Sequence, residues 1–386
     1  MAEALFFLCG ALIVVNLASI LIAASRLSPN GARAASASDT PPVSIVIPVR
    51  GIETFTAETL HRAFQLDWPR YELIFCVADH ADPIIARVEA MMDTYPGVPA
   101  RVLVGDDRIS ANPKLNNCVK GWRAARWEWV VLADSNVLMP PDYVQHLMTA
   151  RRRNTGLVCS TPLGTRPGSF WAEVECAFLN THQARWQYAG EAVGFGFAQG
   201  KSMLWHKPLL DANGGIEALG ADIAEDAAAT KLVNRLGLHV HLVAAPFEQP
   251  LGGRSLREVW MRQSRWARLR RVTFPLFFAP EILLGTLPAL TLALAAATVS
   301  DKNHVLIGMF VMAAIYLPEL ALALAKNWHV SPLSLPAMLA RDIVMPLVWM
   351  RSWVGGVVEW RGNTMTIGTR MSELEGPDTA AAQQPN

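Results

Sequence analysis

Residues 4–24, ALFFLCGALIVVNLASILIAA, run for a full membrane thickness without a charge, and no other segment restricts the fold as much. In lipid every backbone N–H and C=O must find a partner inside the segment, so such a run has to be a helix. About 20 apolar residues is the length that spans a bilayer. Glu3 is the only charge before it, and Arg26 and Arg33 follow it. A cleaved signal peptide has the reverse order of charge. The positive-inside rule then predicts an N-terminus outside the cell and everything after Arg26 in the cytoplasm. A cleaved signal or a buried helix is the competing reading.

More lipid-soluble sequence lies near the other end. Residues 282–300 and 305–325 are long enough to span, and 333–358 is a further apolar stretch carrying Arg341 and Asp342. Charges inside a bilayer are rare and usually paired. That stretch is expected to be a span with an interior pair, or a re-entrant or interfacial element; Pro318 and Glu319 raise the same question for 305–325. Three or four spans in all are expected. The composition agrees: the chain is 52% hydrophobic and 17% charged, against about 25% charged for soluble domains. A net charge of +1 gives no field pointing to nucleic acid, and no such partner is expected. Five cysteines without a CxxC or a histidine at zinc spacing read as reduced packing residues facing the cytosol.

Between these regions the pattern changes. The chain divides into a membrane helix (1–25), an Ala- and Ser-rich linker (26–42), a cytosolic catalytic domain (43–253), a basic amphipathic segment (254–275), a membrane region of two or three spans (276–365) and a polar tail (366–386). In the central domain VSIVIPV (43–49), YELIFCVAD (71–79), ARVLVG (100–105) and EWVVLADSN (128–136) read as buried strands separated by helices. That alternation predicts an α/β domain with a mostly parallel sheet covered on both faces. Such sheets bind ligands at the carboxyl ends of their strands. Two of these ends are acidic: Asp79 with Asp82 beyond it, and Asp134. Two acidic ends gathered at one sheet edge point to a crevice, and capping of turns is the competing account of Asp79 and Asp82. Further on, Asp222, Glu225 and Asp226 open a helix, where the dipole alone favours acid. Asp226 becomes a candidate base if it faces the same crevice as Asp134.

The segment RSLREVWMRQSRWARLRR (254–271) holds seven arginines in eighteen residues. A basic amphipathic helix in the membrane interface explains most of them. Arg262, Arg265, Trp266 and Leu269 share one helix face. There, arginine can grip phosphate through paired hydrogen bonds and tryptophan can stack on a ring or sugar.

These residues resemble ceramide glucosyltransferase and its bacterial relatives, a membrane branch of the inverting GT-A glycosyltransferases known as glycosyltransferase family 21. The likeness runs from about residue 42 to 365 and rests on CVADHADP (76–83), NPKLNN (112–117), ADSN (133–136), AEDAAATKLV (224–233), RQSRWARLR (262–270) and the closing WRGN (360–363). The resemblance implies a GT-A fold, Rossmann-like with a mixed sheet, flanked by N- and C-terminal transmembrane helices. It places the family's three aspartates on Asp82, Asp134 and Asp226, and its (Q/R)xxRW motif on Arg262, Arg265 and Trp266. It puts Lys114 and, with Asp79, the donor-binding acids near the nucleotide, and His182 in the site. Asp134-Ser135-Asn136 departs from the DxD of many GT-A enzymes, so one carboxylate, Asp134, is left to hold a Mg²⁺ or Mn²⁺.

The activity so implied is inverting transfer of a sugar, UDP-glucose being the first donor to try, onto a ceramide hydroxyl at the bilayer. UDP-GlcNAc, UDP-Gal or UDP-GlcA as donor, and a hopanoid or diacylglycerol as acceptor, stay open. A processive polysaccharide synthase is a second reading, although Arg262 stands where those enzymes usually carry Gln. A membrane transporter or scaffold is a third, against which stand the absence of internal repeats and the charge gathered in the soluble domain. A membrane location, multi-pass and of bacterial inner-membrane type, goes with the first reading.

Overall fold

The computed structural model describes residues 1–28, 40–354, 357–360 and 363–366. Most of the expected linker, the polar tail, and Arg361 and Gly362 of the closing motif lie outside the described residues. Nine strands build the central region: β1 (Val43–Pro48), β2 (Tyr71–Val77), β3 (Ala100–Val104), β4 (Trp129–Ala133), β5 (Thr155–Cys159), β6 (Pro162–Pro167), β7 (Ser202–His206), β8 (His239–Leu242) and β9 (Phe247–Gly252). Seven form one sheet in the order β3-β2-β1-β4-β7-β5-β8, and β6 pairs with β9 in a small second sheet.

The four strands expected from the sequence are the parallel half of the large sheet, with Val43 opposite Tyr71 and Trp129. In β1, β2 and β4 the β-branched and aliphatic side chains are buried on both faces, which is why they read as continuous apolar runs, while β3 is the half-buried edge strand. β7 runs antiparallel to β4 and β5, so the sheet is mixed. The helices are α1 (Ala2–Arg26), α2 (Thr56–Ala63), α3 (Ile84–Thr94), α4 (Pro113–Ala124), α5 (Tyr143–Thr149), α6 (Phe170–Ala177), α7 (Arg185–Ala192), α8 (Lys207–Asp211), α9 (Glu225–Arg235), α10 (Leu256–Thr273), α11 (Pro275–Phe278), α12 (Thr286–Val299), α13 (His304–Ala325) and α14 (Ser334–Ser352). A π-helical segment, Phe178–Ala184, joins α6 to α7.

Among the described residues, α1 and α13 are long and apolar enough to cross a membrane. The expected 282–300 span is broken: Pro275–Leu283 and α12 are bent by 46° and make one further crossing only if taken together. The break has a cause. Asp342 of α14 accepts the backbone N–H of Thr286 at 3.1 Å and its hydroxyl at 2.5 Å, capping α12 at that point. The expected charge pair within α14 is present, with Arg341 Nε 2.7 Å from Asp342. Arg341 also reaches Glu319 of α13 at 2.8 Å and the Thr181 hydroxyl at 2.9 Å. All three charged groups are buried, so these ions serve helix packing, each satisfied by another.

The membrane helices are not appended to the domain. Ile20, Ala23 and Leu27 belong to the same apolar core as Val46, Trp122 and Leu132 of the sheet layer and Leu322 and Trp328 at the end of α13. Polar ties reinforce the joint: Arg26 Nε lies 2.6 Å from Glu191, and Lys326 donates to the Leu27 carbonyl at 2.7 Å. All five cysteines are free and buried, as packing residues are.

Candidate active site

The carboxyl ends of β1, β2 and β4 and the loops beyond them open onto a cavity of ≈ 2610 Å³. Asp79, Asp82, Lys114, Asp134, His182, Asp226, Arg262, Arg265 and Trp266 all line it. Sequence positions 79 to 266 therefore converge, although their surroundings differ.

Asp134 follows β4 and is held from both sides. Lys114 Nζ meets one carboxylate oxygen at 2.6 Å and Lys201 Nζ the other at 2.8 Å. Burial alone would raise the Asp134 pKa; the two ammonium groups outweigh it and hold the carboxyl well below its ordinary range. Lys114 is placed by the start of α4, where Asn112 caps the Lys114 and Leu115 N–H groups at 3.0 and 3.2 Å and Pro113 takes the first helical position. Its second partner is Glu225, at 2.7 Å, which also accepts from the Asn112 amide at 2.6 Å. Burial works against the Lys114 charge, yet Asp134 and Glu225 prevail and keep its pKa above the usual lysine value. Lys201 differs: burial dominates and lowers it.

Asp226 sits in the first turn of α9, accepting from the Gly200 N–H at 3.2 Å and the Ala227 N–H at 2.8 Å. Burial, with Glu225 beside it, lifts its carboxyl from 3.8 to about 7. The Gly200–Lys201 segment thus touches both acids, since Lys114 also donates to the Gly200 carbonyl.

The remaining residues take other places. Asp82 accepts the Gly51 N–H, at 3.0 and 2.9 Å, and the Ile84 N–H at 3.0 Å, fixing the loop after β1 to the start of α3. Asp79 accepts the Ala81 N–H at 2.9 Å. Both therefore have the turn-forming contacts expected of Asp while lining the cavity. Arg262 is paired at 2.6 Å with Glu175 of α6, a fully buried carboxylate that lies 3.7 Å from Arg254. The interface reading of Arg254 thus gives way to a contact inside the fold. Trp266 packs against the cluster of Ala172, Cys176, Leu179 and Leu251. His182 lies in the π-helical segment, a distortion frequent at functional sites. Burial, then Arg341 and Arg185, pushes its pKa well below 6.5, so the ring is neutral. Its Nδ1 has no hydrogen-bond partner among the described residues.

Lys201 and Glu175 were not singled out from the sequence, and Asn112 and Glu225 were given no role in the site. The Asn-Pro pair was a legible helix start, and Glu225 was assigned to the helix dipole alone. Nothing local marks Lys201 or Glu175.

A divalent ion finds restricted provision. Among the described residues no group of three or more His, Cys, Asp or Glu gathers to hold one. Asp134 has both oxygens on lysines. The site fits an ion that arrives with substrate phosphates and takes one protein carboxylate, as Mg²⁺ sites commonly do, and does not fit a resident ion.

Comparison with known proteins identifies the family. The family model described as Glycosyl transferase family 21 matches residues 11–372. Ceramide glucosyltransferase 3 of Caenorhabditis elegans is 26% identical over 339 residues, covering 86% of this chain and 73% of that one. Ceramide glucosyltransferase 1 of the same organism is 28% identical, over 63% of this chain and 53% of its own. For the ceramide glucosyltransferase of Komagataella phaffii the identity is 28% and the shares are 59% and 56%. The chain thus spans little more than half the length of the last two. Among solved structures, the mannosyltransferase PcManGT from Pyrobaculum calidifontis, in complex with GDP-Man and Mn²⁺, superposes with a TM-score of 0.50 at 16% identity over 89% of this chain and 99% of that one. At that identity the likeness is one of fold.

Proposed function

Since the chain belongs to glycosyltransferase family 21 and is a membrane hexosyltransferase of GT-A fold, we propose that it transfers glucose from UDP-glucose to the hydroxyl of a ceramide, with inversion, on the cytoplasmic side of a multi-pass membrane protein of bacterial inner-membrane type. What supports this most is one arrangement. Asp134 with its two lysines and Asp226 with its raised pKa share a cavity whose wall includes a membrane helix.

The chemistry follows from charge. Departure of a nucleoside diphosphate builds negative charge on the leaving oxygen. Lys114 and Lys201 stand where they can meet it, and Arg262, steadied by Glu175, adds a third cation. Asp79 and Asp82 shape the loops that receive the nucleotide, and Arg265 and Trp266 stand on the same α10 face beside it. Asp134 would be the residue to hold a Mg²⁺ or Mn²⁺ arriving with the donor, and such an ion would further neutralise the diphosphate. Asp226 takes the proton of the acceptor hydroxyl as that oxygen attacks the anomeric carbon. A carboxyl near pH 7 suits this, because a base works best with a pKa close to the working pH. Neutral His182 offers the acceptor a hydrogen-bonding edge.

The test is transfer in detergent with a panel of radiolabelled UDP-sugars, a mixed lipid extract and Mg²⁺ or Mn²⁺. One labelled lipid, lost in Asp134→Ala and in Asp226→Asn while Asp226→Asn still binds UDP, is the expected result. Label in a polymer, or none with folded protein, overturns it.

A further inference from the structure

The cavity exceeds what a nucleotide sugar fills, at ≈ 2610 Å³ against about 300–1,000 Å³ for an ordinary small-ligand site. Its far end is walled by the membrane anchor. Val15, Ala18, Ser19 and Ile22 of α1 line it, and their spacing of three, four and seven places them on one helix face. At 1.5 Å per residue this face covers about 10 Å of helix. Arg26, bound to Glu191, marks the polar end of α1. The lining face therefore lies roughly 6 to 16 Å below it, within the half-thickness of about 15 Å of one leaflet's hydrocarbon.

Two aromatic side chains, Phe195 and Phe277, meet with ring centroids 5.5 Å apart. They also line the cavity, and are 56% and 46% exposed. Ala18 and Ser19 are small and leave width at this end of the cavity.

We infer that this end of the cavity is a lateral slot for the N-acyl chain of the ceramide acceptor. The chain enters from within the leaflet, between α1 and the Phe195–Phe277 pair, and its head brings the acceptor hydroxyl up toward Asp226. This rests on the reading that the acceptor is a ceramide. Hydrocarbon is the occupant that fits, because the wall is a membrane-crossing helix at acyl-chain depth and carries no charge. A peptide there would leave backbone groups without partners.

The experiment uses the full chain in lipid nanodiscs with two acceptors, palmitoyl ceramide and hexanoyl ceramide. Ala18→Trp fills the slot. It is expected to raise KM for palmitoyl ceramide about tenfold, to change KM for hexanoyl ceramide far less, and to leave UDP affinity by calorimetry unmoved. In parallel, a ceramide with a diazirine in its acyl chain is photolysed on the wild-type protein. Crosslinks in the 15–22 and 193–195 peptides, lost in Ala18→Trp, are expected. Should Ala18→Trp fail to bind UDP and so prove misfolded, Phe195→Ala reads the same slot through weakened crosslinking. Equal KM changes for both ceramides, or crosslinks confined to other peptides, overturn the slot. Wild-type protein that glucosylates no ceramide overturns the proposed activity instead, while the crosslinks still report on the slot.

Discussion

Asp226→Asn separates what a carboxylate does for catalysis from what it costs the fold. In the native protein burial and Glu225 hold the Asp226 carboxyl at about 7, against its ordinary 3.8. Between these two values the folded chain keeps a proton that the unfolded chain has released. Stability therefore falls as pH rises from about 4 to about 7, and the loss persists above that. The whole interval corresponds to about 4 kcal/mol. Asp226 is only half-buried at the cavity wall, so water screens roughly half, leaving about 2 kcal/mol.

Asparagine never ionises and escapes that loss. It keeps one of the two backbone bonds to Gly200 and Ala227 and forfeits the other, at about 1 kcal/mol. The forfeited bond is independent of pH; the swing is not. Thermal unfolding in detergent, followed by tryptophan fluorescence at about pH 5 and about pH 8, should show Asp226→Asn gaining about 1 kcal/mol on the wild type between the two, the share of the interval that lies above about pH 5. The same substitution should lower kcat/KM by about 10²–10⁴. Wild-type kcat/KM should rise close to tenfold per pH unit below about 7 and then level. A stability difference that does not change with pH, or a variant within tenfold of wild-type activity, refutes the reasoning.

Other outcomes follow from the same geometry. Arg341→Met leaves buried Asp342 without its cation and Glu319 with Arg185 alone, at 3.3 Å, and should cost about 3–5 kcal/mol, as read by the detergent melting point. Lys114→Met leaves Asp134 and Glu225 facing each other without their shared cation, and should weaken UDP binding by at least about tenfold in calorimetry. Gly196→Ala directs its new Cβ onto the Val240 carbonyl oxygen, where backbone has to give way. A loss of about 1–3 kcal/mol is expected, measured against wild type by thermal unfolding.

How far the sequence carried the fold depended on whether the signal was local. The strands β1, β2 and β4 were legible because burial on both faces leaves an uninterrupted apolar run, which in β2 and β4 ends in acid. Strand direction is not encoded in that pattern, so SMLWH (202–206) gave no hint that β7 runs against its neighbours. The start of α4 was written in Asn112-Pro113, whereas the ion pair that makes Lys114 useful depends on Glu225, 111 residues away. Glu225 was hidden by a sufficient local explanation, the helix dipole. Arg262 stood out by motif, and its partner Glu175 did not, because an acid on an apolar helix looks like any solvated one until the fold buries it. The 282–300 run read as one helix although Gly285 and Pro288 mark a break within it, and the cap that Asp342 of another helix places on the start of α12 at Thr286 is not a local signal.

The shared core of Ile20, Ala23, Leu27, Val46 and Trp122 bears on how this protein can be handled and how it can change. An anchor joined by a flexible tether is an interchangeable part: it can be trimmed away for solubility or replaced by any other greasy segment. Here the anchor supplies interior wall to the enzyme. Deleting residues before the first strand would uncover the underside of the sheet layer, so a trimmed protein should aggregate rather than become a soluble enzyme. The same joint fixes the reaction centre at one height and tilt above the lipid. It is a bench bolted to the floor, to which substrates must come, and its anchor cannot drift in sequence without the catalytic domain adjusting in step.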